Sequence, residues 1–152
     1  MDAKDRQIVR ELQQNARLTN QELAERVNLS PSPCLRRVRN MEEKGIIRGY
    51  TALIDQEAYG LPLTVFVRIR LERHSKEAVK AFEDKVQTID EILDCFLMTG
   101  DADYLLRVVI ASLDAYEDFI RRKVHAIPGI ASIDTSFAYG IVKQTHAYPR
   151  LT

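Results

Sequence analysis

The sequence has no tryptophan, only two cysteines and no excess of either charge: 22 Lys and Arg balance 22 Asp and Glu over 152 residues. No apolar run approaches the roughly 20 residues that a membrane span requires. The opening "MDAKDRQIVRELQQ" lacks the apolar stretch of a secretory signal. The expectation is therefore a cytoplasmic localisation with no membrane partner. Cys34 and Cys95 stand far apart, without CxxC or Cys/His ligand spacing, which excludes a disulfide framework and a zinc site and leaves buried free thiols. His74, His125 and His146 are scattered, and no nucleophile sits in a recognisable elbow. No enzyme, metal or cofactor is expected, and His125 is placed on a helix surface. With 45% apolar and 29% charged residues, the chain has the composition of an ordinary soluble globular protein.

Net neutrality hides an asymmetry. Met1 to Tyr50 contains ten Lys/Arg against seven Asp/Glu, and the rest twelve against fifteen. Arg36, Arg37, Arg39, Lys44 and Arg48 supply the excess, a pattern that hints at nucleic acid.

Ile8, Val9 and Leu12 share one face of a helix over Ala3 to Asn15. Thr19 followed by Glu22 is a capping-box signature for a second helix burying Leu23, Ala24 and Val27. Asn28 suits the left-handed helix end that opens a turn to Pro31. Ser32 is then read as N-cap and Pro33 as the first residue of a third helix ending at Gly45. Cys34, Val38 and Met41 form its buried stripe, while Arg36, Arg39, Asn40 and Glu43 point outward with Arg37 and Lys44 on the flank. A short, exposed basic helix of this kind fits the major groove, where arginine pairs with guanine or phosphate and asparagine with adenine. A solvated helix face gives the same charge run, but it does not account for three abruptly bounded helices in about 45 residues.

Beyond Gly45, "IIRGYTALIDQEAYG" reads as a strand and a turn ending at Gly60-Leu61-Pro62. "LTVFVRIRLER" alternates as a strand, with Val65, Val67, Ile69 and Leu71 on one face and Phe66, Arg68 and Arg70 on the other. A helix capped by Ser75, two apolar strands around Thr99–Asp103, a helix over "DAYEDFIRRKVHAI" and a last strand, "IASIDTSFAYGIVKQT", follow. The order βαββαβ predicts an α+β, ferredoxin-like domain with both helices on one sheet face. The opposite face, with Phe66, Arg68, Arg70, Leu105 and Arg107, predicts a two-fold homodimer. Two recognition helices in a dimer would read a palindromic operator in double-stranded DNA. The predicted domains are a three-helix helix-turn-helix unit (1–50), a strand and linker (51–62) and the βαββαβ unit (63–152).

The loop "TGDADY" offers Gly100, two carboxylates and a phenol beside free main-chain N–H groups, a corner able to hold an amino acid. A plain hairpin turn explains the same composition. A stand-alone metabolite-binding module is the competing function; it predicts ligand binding without DNA binding and leaves the basic helix unexplained.

"DRQIVRELQQNARLTNQELAERVNLSPSPCLRRVRNMEEKGIIRGY" resembles the N-terminal domain of the Lrp/AsnC (leucine-responsive/asparagine, feast/famine) family of transcription factors, and "MTGDADYLLRVV" with "IPGIASIDTSFAYGIVKQT" is similar to its regulatory domain. The resemblance covers nearly the entire chain. It implies a DNA-binding regulator tuned by a small effector, usually an amino acid, that dimerises through its second domain and commonly assembles as a ring of four dimers. By position it implies that Ser32, Pro33, Arg36, Arg37, Arg39 and Asn40 belong to the recognition helix. It likewise implies that Thr99, Gly100, Asp101, Asp103 and Tyr104 form the effector loop, with Thr135 and Ser136 on the facing strand. Asn28 departs from the glycine often found in the family's turn, and Cys34 takes a small apolar position.

Overall fold

The computed structural model describes residues 1–149 and divides the chain into two units. The first comprises Met1–Leu53 with the described part of the segment that begins at Val142; the second comprises Ile54–Ile141. The expected second domain ran on to residue 152. Residues 142–149 group instead with the first unit, where Gln13 Nε2 donates to the His146 carbonyl (3.2 Å).

In the first unit, α1 (Ala3–Gln14) starts in a capping box in which the Asp2 carboxylate accepts the Asp5 N–H and the Asp5 carboxylate accepts the Asp2 N–H, each at 2.9 Å. This satisfies two of the N–H groups that every helix start leaves without an internal partner. α2 (Asn20–Arg26) carries the expected Thr19–Glu22 box. Its last carbonyls are taken from α1: Lys4 Nζ donates to Val27 O (2.5 Å) and Gln7 Nε2 to Arg26 O (3.4 Å). Asn28 is left-handed, at φ 52°, a conformation that asparagine tolerates better than most residues.

The third helix, α3, runs Pro31–Glu43 with Ser30 as N-cap, so the assignment of Ser32 as cap and Pro33 as first residue is corrected by two positions. The reason is that the first four N–H groups of a helix are unpaired anyway, so both prolines fit inside the first turn. The first N–H to bond is that of Cys34, to Ser30 O at 3.1 Å. The preference of a residue before proline for extended backbone yields to packing at Ser32. Ile8, Leu23, Ala24, Val27, Cys34 and Met41 form the core, with Val38 packed beside them.

The expected strand after Gly45 is absent: no residue from 46 to 62 is in a strand, and Asp55–Gly60 is a turn. Its apolar alternation is real, yet a strand requires a neighbour for its N–H and C=O groups, and none of the described residues provides one there.

The second unit is a four-stranded antiparallel sheet of order β2-β3-β1-β4, built from β1 (Leu63–Leu71), β2 (Ile92–Leu97), β3 (Tyr104–Ile110) and β4 (Ile130–Phe137). Its helices are α4 (Lys76–Val86), capped by Ser75 as expected, and α5 (Leu113–Phe119), which passes into a π-helical turn at Ile120–Val124. Alternation along β1 buries Val65, Val67, Ile69 and Leu71 with Phe82, Val86, Tyr104, Leu106 and Phe119. Phe66, Arg68 and Arg70 stand on the other face, as the period-two pattern requires. The βαββαβ, α+β architecture expected from the sequence is thus present. β4 ends at Phe137, earlier than its sequence pattern suggested. No helix among the described residues is long and apolar enough to cross a membrane, and no cluster of His, Cys, Asp and Glu among them could hold a metal ion.

Candidate functional site

The outer surface of α3 is the first candidate. Ser32, Pro33, Arg36, Arg39 and Asn40 are all exposed there. Among the described residues neither Arg36 nor Arg39 forms an ion pair or donates a side-chain hydrogen bond. Arg37 differs. Its Nη1 donates to Asp2 Oδ2 (2.7 Å) and to Asp5 Oδ1 (2.8 Å), tying α3 to the first turn of α1. The same carboxylates cap α1, so each serves two partners. The Asp5 N–H, with Arg37, holds the Asp2 carboxyl below the usual carboxylate range; the Asp2 N–H does the same for Asp5. Arg37, expected on the flank of the helix, therefore ties it to α1, whereas Arg36 and Arg39 face outward. A charge run gives no sign of which member meets an acid 32 to 35 residues earlier.

Asn20, at the start of α2, donates from Nδ2 to the Pro31 carbonyl (2.8 Å), fixing the beginning of α3 against α2. Sequence reasoning did not single it out, because an asparagine at a helix start reads only as local capping.

The second candidate lies at the end of the open sheet face. There Thr99, Asp101 and Ala102 of the "TGDADY" loop meet Arg68 and Arg70 of β1 and Asp134 of β4 around an open concavity of about 540 Å³, within the range of small-molecule sites. Gly100 has φ 105°, which a side-chain-bearing residue rarely adopts. Ile69, Met98, Leu105 and Ser132 complete the lining. Arg68, Arg70, Ser132 and Asp134 were not named as site residues from sequence. The signal lay in the register, which sets Arg68 opposite Asp134 and Arg70 opposite Ser132.

The expected loop residues divide. Thr99 and Asp101 are exposed at the concavity, and Gly100 between them is exposed without lining it. Ser136 is exposed on the same open face, paired in register with Phe66. Asp103, Tyr104 and Thr135 turn away from it. Tyr104 is buried, with its ring 4.5 Å from that of Phe82 and its hydroxyl donating to Glu83 at 2.9 Å. Burial, together with the Glu83 carboxylate, pushes its phenol far above the usual range. Thr135 Oγ1 pairs with the Tyr116 hydroxyl at 2.6 Å on the helix-covered side. For Tyr104 and Thr135 the physical reason is strand parity, since neighbours along a strand face opposite sides; Asp103, just before β3, is turned by its bonds to the Leu71 N–H and His74.

Asp103 is a fastener. Beyond the Ile69–Tyr104 pair β3 supplies no further partner, and the Asp103 carboxylate takes the Leu71 N–H in its place (Oδ2, 2.7 Å). Its other oxygen faces His74 Nε2 at 2.8 Å. Its own N–H donates to Ile69 O (2.9 Å), and its carbonyl accepts the Met98 N–H (2.8 Å), closing the loop. The Leu71 N–H, chiefly, holds its pKa below the ordinary 3.8. Asp103→Ala is expected to cost the second unit about 1–3 kcal/mol, the penalty for leaving a partly buried donor unpaired, read by denaturant unfolding. Because the folded pKa is depressed, this stabilisation is present above the unfolded value and lost as pH falls through the folded one. Asp103→Asn retains an acceptor for Leu71 and so removes the acid sensitivity while sparing stability at neutral pH; an unchanged acid limb in Asp103→Asn would count against the assignment.

Cys34 is buried and Cys95 half-buried, with burial pushing the Cys95 thiol up to about 11. Both are far from the thiolate state that reactive cysteines need.

With this geometry in view, the comparisons with known proteins are consistent at every level. The family described as Lrp/AsnC ligand binding domain matches residues 64–148. That described as winged helix-turn-helix DNA-binding matches residues 1–48, although the first unit has no strand among its described residues. The Bkd operon transcriptional regulator of Pseudomonas aeruginosa is 40% identical over 149 residues, covering 98% of this chain and 97% of its own. The leucine-responsive regulatory protein of Escherichia coli K12 is 40% identical over 146 residues, covering 96% and 89%. A transcriptional regulator of Neisseria meningitidis, crystallised as its L-Met complex, superposes with a TM-score of 0.93 at 40% identity, covering 98% of this chain and 96% of that one.

Proposed function

The chain belongs to the Lrp/AsnC family of transcriptional regulators, and from that membership we propose that it reads operator DNA with Ser32, Pro33, Arg36, Arg39 and Asn40 of α3 while an amino acid held at the Gly100 concavity tunes that binding. Its relatives are regulators of transcription and not enzymes. One observation carries the DNA reading: Arg36 and Arg39 stand exposed without ion-pair partners among the described residues, beside Asn40, on a helix whose third arginine is spent on Asp2 and Asp5. Free guanidinium groups on a rigid helix match the acceptors of guanine and phosphate. In support of the effector, the Neisseria relative was crystallised with L-Met, and the concavity here displays both charges of a zwitterion.

We further read the unit of assembly as a homodimer formed over the open sheet face, where Phe66 and Leu105 are half-buried and Phe96 is exposed, with four such dimers forming a ring, and the operator as a palindrome. A cytoplasmic location follows from the same role. The effector must bind one DNA-affinity state better than the other, since equal affinity shifts nothing.

The test is a fluorescence-anisotropy titration against a duplex selected from a random pool by the protein itself, with and without each of the twenty amino acids at 1 mM. The expected result is at least tenfold preference for the selected duplex over a scrambled one, with at least one amino acid changing that affinity. Equal, weak binding to both duplexes defeats the DNA reading; affinity unmoved by every amino acid defeats the effector reading.

A further inference from the structure

On α3 the exposed positions Ser32, Leu35, Arg36, Arg39, Asn40 and Glu43 recur at intervals of three and four, so they fall on one outward stripe of the helix and line one surface. Leu35 alone among them is apolar. It is 37% exposed, and among the described residues it packs neither within the core of the first unit nor against it. Its direction is fixed by what surrounds it. Cys34, its neighbour, is fully buried in that core, the Pro31 carbonyl is held by Asn20 Nδ2 at 2.8 Å, and Arg37 is bonded to Asp2 and Asp5. The helix cannot roll Leu35 inward without breaking these contacts. A lone exposed leucine is ordinary on a protein surface, but one inside the stripe that meets a duplex is taken out of water when the duplex docks.

Base-pair edges in the major groove present hydrogen-bond donors, acceptors and one apolar group, the C5-methyl of thymine. Leucine offers nothing to a donor or an acceptor, and pressing it against one strips water from that group without replacing the lost bond. We propose that Leu35 is a specificity-determining residue that packs on a thymine methyl in the operator. This rests on the reading of α3 as the recognition helix and goes beyond it by naming a base and the side chain that selects it. Leu35 is the fifth residue of α3, within the N-terminal part of a recognition helix that reaches base edges. Arg39 follows one turn later, about 6 Å along the helix axis, a distance that spans roughly two base-pair steps of about 3.4 Å. The thymine therefore lies within about two base pairs of the group that Arg39 contacts.

The experiment is a fluorescence-anisotropy competition between the full-length chain and variants of the duplex it selects from a random pool. Each thymine in turn is replaced by deoxyuridine, which removes the methyl and keeps every hydrogen-bonding group of the base pair. For wild type at least one replacement is expected to lower affinity about fourfold, the scale for one buried methyl-sized group. Leu35→Ala, whose side chain stops two bonds short, should bind that duplex and its deoxyuridine form within about 1.5-fold of each other, the coupling that a double-mutant cycle isolates. Leu35→Met, which keeps an apolar side chain of similar reach, should restore the difference. Melting curves matching wild type exclude misfolding as the cause. If no thymine responds in wild type, or if the same thymine responds equally in Leu35→Ala, the assignment of Leu35 is overturned while preference for the selected duplex stands. Equal, weak binding to selected and scrambled duplexes removes the reading of α3 itself.

Discussion

Replacing Arg36 and Arg39 together with alanine should lower affinity for the selected duplex by about thirtyfold or more, while leaving folding intact. Each arginine that pairs bidentately with a guanine discriminates by roughly 1–3 kcal/mol, and two such losses on separate base pairs add approximately. Both side chains are exposed and form no ion pair among the described residues, so their removal breaks nothing in the three-helix core. The salt dependence separates their roles. A side chain that neutralises a phosphate contributes about 0.9 to the slope of log K against log salt; one that reads a base leaves the slope unchanged and lowers the ratio of selected to scrambled affinity. Arg37→Ala provides the contrast. Its guanidinium engages Asp2 and Asp5, so its loss should lower the melting temperature of the first unit and weaken all duplexes alike. A double variant that binds as wild type, or an Arg37→Ala that relaxes sequence preference with no change in melting, would refute this division.

Phe82→Ala should destabilise the second unit by about 3–5 kcal/mol, the usual cost of deleting a fully buried phenyl ring and leaving a cavity. Phe82 is completely buried on the inner face of α4 and lies against Tyr104 at a centroid distance of 4.5 Å. Tyr104 follows directly on the loop that edges the concavity, and its hydroxyl is held by Glu83 on the same helix. Losing the ring therefore removes the support beneath the effector loop along with core contacts. Since a domain of this size has only about 5–15 kcal/mol of stability in total, the variant should unfold at clearly lower denaturant concentration and bind amino acids more weakly wherever it remains folded. Phe82→Leu, which restores most of the volume, should recover most of the loss. A Phe82→Ala protein within 1 kcal/mol of wild type would contradict the placement of this residue at the centre of the core.

Local signals carried a large share of this architecture. Thr19 and Glu22 cap α2 because their bonds span three residues. The alternation of β1 and the amphipathic spacing of α1 and α4 likewise need only a few neighbouring side chains to be read. Family membership was legible for a related reason, since two motif sets in fixed order and spacing make a specific pattern. Where the sequence misled, a partner remote along the chain decided the outcome. The apolar alternation after Gly45 makes no strand because none of the described residues pairs with it. Both prolines entered α3 because the unpaired first turn tolerates them and the core draws Cys34 inward.

Length, composition, the caps of α2 and α4 and strand parity were determined by the sequence itself, since each depends on covalent order or on contacts a few residues apart. Only the tertiary structure decided that Arg37 is consumed by Asp2 and Asp5, that Asp103 fastens its loop to Leu71, and that Arg68 is cancelled by Asp134. Those outcomes turn on polar groups 32 to 66 residues apart. Electrostatic pairing acts through space at a few ångströms, and the linear order of residues does not encode which of several identical side chains will come that close.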